Sequence, residues 1–190
     1  CPAIFNCEND NNGNNNNTIF GKNAGLNIDG GSQFNTFIGD SVSDAAMDNA
    51  ISNVGIGWNA LTSLTSGDQN IAIGTQTLND VTTGSNNIGI GYRALYDLAT
   101  AVNNVAIGTQ AMGTGTVTGA NNVALGFQSL YKVTSGNENV AIGKDAMYDN
   151  LGGAGNTAVG TEALANNTSG GENVAIGKIA LYTNSTTGAN

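Results

Sequence analysis

The chain has 190 residues, of which 39% are hydrophobic and only 10% charged, with five Lys and Arg, no histidine and a formal net charge of −9. That balance excludes the basic patch that nucleic acid or an anionic membrane surface requires, and the missing imidazole excludes Ser-His-Asp catalysis and the usual zinc sites. No run of eighteen apolar residues is present, so nothing reads as a membrane-spanning helix and no direct insertion into a bilayer is expected.

Residues 1–13 stand apart from everything that follows and read as a non-repeat cap or linker. Both cysteines, Cys1 and Cys7, lie here. An even count favours a disulfide within or between chains; the alternative is that Cys1 is the lipid-carrying first residue of a processed lipoprotein. Glu8, Asp10 and Asn12 alternate as oxygen ligands do in a calcium loop, with Gly13 nearby. The twelfth position of that loop is Ile19, not a bidentate glutamate, so an Asn-rich linker is the preferred reading and no metal is expected.

Residues 14–190 are a repeat. Ten glycines, Gly21, Gly39, Gly57, Gly74, Gly91, Gly108, Gly126, Gly143, Gly160 and Gly177, recur at intervals of 17 or 18. Four residues before each stands an asparagine: Asn17, Asn35, Asn53, Asn70, Asn87, Asn104, Asn122, Asn139, Asn156 and Asn173. A fixed period of this size means one small unit stacked on itself, which makes a rod or a surface.

Within each unit, β-branched residues alternate with small ones, as in Asn139-Val140-Ala141-Ile142-Gly143, the pattern of a short strand. The expected fold is all-β: a parallel β-solenoid (β-roll) of about ten 17–18-residue coils, with two or three short strands per coil. Coils about 4.8 Å apart would make a rod on the order of 50 Å long. Thr, Ser and Gly after each Ala-Leu step supply turns, and a helix over Ala94–Leu98 is disfavoured by the short span between turns. The Val/Ile face is expected to fill the coil's own core. The Asn/Ala face would then let another chain approach, giving a parallel homotrimer. The asparagines are expected to form an amide ladder; the competing role is a left-handed turn.

Trp58, Tyr92 and Phe127 follow their glycines directly, two coils apart. Such a stripe suits stacking on sugar rings, and its alternative is packing against a neighbouring chain. Tyr96, Tyr131, Tyr148 and Tyr182 share another column and read as seam packing. Asp40, Asp44 and Asp48 are single acidic residues in a variable column and need no ion. Gly188-Ala189-Asn190 repeats the lead-in Gly119-Ala120-Asn121, so the array is expected to continue past Asn190.

Segments such as Asn139–Gly143 and Asn173–Gly177 resemble the head repeats of trimeric autotransporter adhesins, the haemagglutinin-type repeats of bacterial surface fibres. The longer form, Asn87 to Tyr96, is similar to repeats of phage and bacterial tail-fibre-like proteins. The resemblance covers roughly Asn14 to Asn190 and implies a trimeric fibre, extracellular, on a cell surface or on a virion. Hexapeptide acyltransferases, which Ile-Gly-x-x-Ala also resembles, repeat that motif three times per coil and rely on histidine, and are set aside. The function expected is a non-enzymatic fibre segment with no cofactor, partnered by itself and by a surface glycan or host-cell receptor. Its alternative is a glycan-binding module using the aromatic stripe.

Overall fold

The computed structural model describes residues 16–183. The cysteine pair, the calcium-loop candidates Glu8, Asp10 and Asn12, and the rest of the 1–13 segment lie outside the described residues. Each repeat contributes one strand of three residues, and all ten hydrogen-bond in chain order into one parallel sheet. The strands are β1 (Thr18–Phe20), β2 (Thr36–Ile38), β3 (Val54–Ile56), β4 (Ile71–Ile73), β5 (Ile88–Ile90), β6 (Val105–Ile107), β7 (Val123–Leu125), β8 (Val140–Ile142), β9 (Thr157–Val159) and β10 (Val174–Ile176). Register is strict: Val54 faces Ile71, and Ile71 faces Ile88. The chain is a parallel β-solenoid, and no helix occurs among the described residues.

One strand per coil is fewer than the two or three expected. The remainder of each coil is turn, yet its amides still bond along the axis: Leu78 donates to the Ala94 carbonyl at 3.0 Å, and Gln76 donates back to Trp58 at 2.8 Å. Short bridges, such as Leu98 to Val117, add a few further parallel contacts. The geometry depends on left-handed residues at fixed corners. Gln69, Gln76 and Leu78 have φ of 58°, 55° and 49°, and equivalent positions recur in later coils. Positive φ is uncommon for residues other than glycine. Here it reverses the chain within two residues and points successive amides at the coils above and below, and burial of leucine offsets the strain.

The core is a set of columns. Leu61, Leu78, Leu95, Met112, Leu130, Met147 and Leu164 form one, and Leu64, Val81, Leu98 and Val133 a second; all are fully buried. Against them packs the middle residue of each strand, Ala72, Ala106, Ala124, Ala141 or Ala158, also fully buried. The expectation that Val and Ile fill the core is therefore corrected: the small residue points in, and the β-branched pair points out. The reason is width. Where the middle residue is Gly55, an added Cβ would lie 2.6 Å from Val42 Cγ1 and 3.2 Å from Leu61 Cδ1. Leucine and methionine already occupy the interior, and only Ala or Gly fits between them and the sheet, with Phe37 the one bulky exception among β2–β9.

Candidate functional site

The ten asparagines form one continuous column, each less than 5% exposed. Asn70 donates its backbone N–H to Asn53 Oδ1 at 2.9 Å and its Nδ2–H to the same oxygen at 3.1 Å. Its Nδ2 also donates to the Gly84 carbonyl of the next coil at 2.8 Å. The backbone bond to the preceding side-chain oxygen runs unbroken from Asn35 to Asn173. Each amide thereby caps one coil and ties it to both neighbours. The left-handed residue is not the asparagine but the one before it, for example Asn103 at φ 59° before Asn104. Ladder and turn chemistry are both present, in adjacent residues.

A shorter polar column was not anticipated. Asn150 and Asn167 replace the apolar residue of the second core column and are fully buried. Asn167 closes a local loop, donating to the Gly170 carbonyl at 2.8 Å and accepting from the Gly170 amide at 3.1 Å. The sequence signal was the substitution of Asn for Leu or Val seven residues after Gly143 and Gly160.

On the outer side of the sheet, the residues flanking each strand centre make two parallel columns. One runs Val105, Val123, Val140 and the other Ile107, Leu125, Ile142, partly or substantially exposed throughout. Neither column contains a charged residue in any of the ten coils. Nine coil spacings of about 4.8 Å give a strip roughly 43 Å long, on the order of 400 Å² of uncharged, mostly aliphatic surface, with Thr18, Thr36 and Thr157 in one column and Phe20 in the other. A patch of that size is comparable to the largest one on a typical soluble monomer, which often serves as an interaction surface.

Trp58, Tyr92 and Phe127 are 50%, 43% and 43% exposed, so in a single chain the stripe is open. The Arg93 guanidinium lies 5.3 Å from the Tyr92 ring centre and 4.9 Å from that of Tyr96, bridging the two aromatic columns. Lys144 lies 6.0 Å from the Phe127 ring. In the other column Tyr131 and Tyr148 stack, their centres 5.0 Å apart. Lys132 sits 5.0 Å from the Tyr148 ring and pairs with Asp149 at 2.7 Å. Beyond Tyr148 the column has Ala165 and then Tyr182. There the surface opens into a groove of about 360 Å³ lined by Tyr148, Ala165 and Tyr182.

Acidic residues do not converge on a metal site: among the described residues no group of three or more His, Cys, Asp or Glu could hold one. Burial, with Asp97 of the next coil beside it, pushes the Asp80 carboxyl above its ordinary value of 3.8.

Comparison with known proteins returns no match: no family model, no curated protein and no solved structure matches the chain. The likeness to adhesin-head and tail-fibre repeats rests on the repeated motif alone.

Proposed function

We propose that the chain is a non-enzymatic structural fibre segment, the shaft or head of an extracellular adhesin, phage tail fibre or surface filament, assembled as a parallel homotrimer. The observation that carries this reading is the uncharged aliphatic strip on the outer side of the sheet. A second copy is the occupant that fits it. The strip repeats with the period of the chain itself, so an identical strip in parallel register matches it rung for rung. A net charge of −9 spread elsewhere leaves this face free of repulsion between copies. Three chains, and a place outside the cell or on a virion, follow from the resemblance to adhesin-head repeats. The Asn/Ala face, facing inward, takes no part in the association.

Ile107→Lys combined with Ile142→Lys places two charges in the strip without touching the coil interior. Sedimentation should show the parent chain as a trimer and the double variant as a monomer with an unchanged far-UV spectrum. A parent chain that sediments as a monomer at micromolar concentration refutes the assembly.

A second reading, a glycan-binding module on the stripe, is favoured by the exposure of Trp58, Tyr92 and Phe127. A glycan array separates the two: binding that disappears in Trp58→Ala with Tyr92→Ala supports the module, and trimers that bind nothing support the shaft.

A further inference from the structure

Tyr148, Ala165 and Tyr182 occupy the same position in three successive coils. The backbone proves the register, since Asp149 donates to the Ala165 carbonyl at 2.8 Å and Asn166 donates to the Tyr182 carbonyl at 2.9 Å. One face of Tyr148 is already covered by Tyr131 of the preceding coil, at 5.0 Å. Lys132 Nζ also lies 5.0 Å from the Tyr148 ring, and Tyr148 and Tyr182 both line the groove that follows. The ring that would fill the gap is missing, because the intervening residue is alanine, only 5% exposed and forming the floor. Two coil spacings put the two tyrosines about 10 Å apart. That leaves room for one saturated six-membered ring, in contact with a π-face on each side.

The rim is polar. Gln128, Asp145 and Glu162 line the groove from the left-handed corner, and Asn166 from the far side. Asp145 Oδ1 is buried and has no hydrogen-bond partner among the described residues. Its Oδ2 is engaged by Lys144 at 3.4 Å. Carboxylates and amides beside aromatic walls are the groups that accept and donate to vicinal hydroxyls, while the electron-rich tyrosine faces attract the polarised C–H groups of a sugar ring. A volume of about 360 Å³ is at the lower end of small-molecule sites.

We propose that this slot binds a neutral pyranose, held between Tyr148 and Tyr182 over Ala165, with Asp145 Oδ2 and the Glu162 carboxylate taking its hydroxyls. Both carboxylates repel an acidic sugar, so uronates are disfavoured. The tyrosine walls lie in a different column from the Trp58–Phe127 stripe and in the three coils beyond Phe127, the stripe's nearest member, which is the neighbour of the rim residue Gln128.

Saturation-transfer NMR on the whole chain tests it, using methyl glycosides of glucose, galactose, mannose and N-acetylglucosamine, with glucuronate and choline as counter-probes. At least one neutral glycoside should show transfer to its ring protons with an affinity of about 1 mM. Ala165→Tyr inserts the missing ring, which the Tyr131–Tyr148 pair shows adjacent coils accommodate, and should weaken binding at least about tenfold. Tyr182→Ala removes a wall that is already exposed and should have the same effect on a folded chain, whereas Trp58→Ala should leave binding intact. The proposal is overturned if no neutral glycoside shows transfer, if Ala165→Tyr and Tyr182→Ala both bind as the parent does, or if choline or glucuronate binds more tightly than the neutral sugars.

Discussion

Asn104→Ala and Asn104→Gly should both destabilise the solenoid severely, and by similar amounts. Asn104 Oδ1 accepts the Asn122 backbone N–H at 3.0 Å, and Asn104 Nδ2 donates to the Gly119 carbonyl at 3.0 Å. Either substitution leaves the buried Asn122 amide with no acceptor and deprives the Gly119 carbonyl of its side-chain donor. Each buried group left unsatisfied costs about 1–3 kcal/mol, so the expected loss is roughly 2–6 kcal/mol per chain. Glycine brings no relief, because the left-handed corner belongs to Asn103 at φ 59°, which is exposed. Asn103→Gly should accordingly be near neutral. Thermal or denaturant unfolding of the three variants checks the assignment. An Asn104→Gly chain as stable as the parent would show that the column contributes nothing beyond turn geometry.

The period, the parallel sheet and the asparagine column were legible in the sequence because each is a column property, visible once the glycines are aligned. Orientation was not. A three-residue alternation such as Val105-Ala106-Ile107 declares two different faces but not which one is inside. What decides it is the interior width, set by Leu95 and Met112 several residues away on the opposite wall. Leucine propensity also conceals the corners, since nothing in Leu78 or Leu95 as residues announces φ near 50°. That conformation is imposed by neighbouring coils whose carbonyls must be met. The tyrosine slot was hidden for the opposite reason. Tyr131, Tyr148 and Tyr182 stand out as a column, and the informative position is the one where the tyrosine is absent, Ala165.

Gly91→Ala should be at least as damaging as loss of an asparagine. Gly91 has φ of +127°, a region that side-chain-bearing residues rarely adopt, at a cost of order 1–3 kcal/mol. Conformation is only part of the penalty. An added Cβ would lie 2.7 Å from the Gly108 carbonyl oxygen and 2.8 Å from its carbonyl carbon. Both are backbone atoms of the next coil, whose Gly108 amide is itself bonded to Ile90 at 2.8 Å. No side chain can rotate away, so two coils must separate and strain the ladder on either side. Strain and lost bonding together should exceed about 3 kcal/mol, the upper end of what most single substitutions cost. The same column places Gly74 against Gly91 and Gly126 against Gly143 with equal closeness, so substitutions there should behave alike. Gly30→Ala is the control: no atom lies within 4 Å of its added Cβ and its φ is not positive, so its stability should match the parent. Parallel denaturant titrations decide it, and a Gly91→Ala chain unfolding together with Gly30→Ala would mean that glycine is not what lets the coils stack so closely.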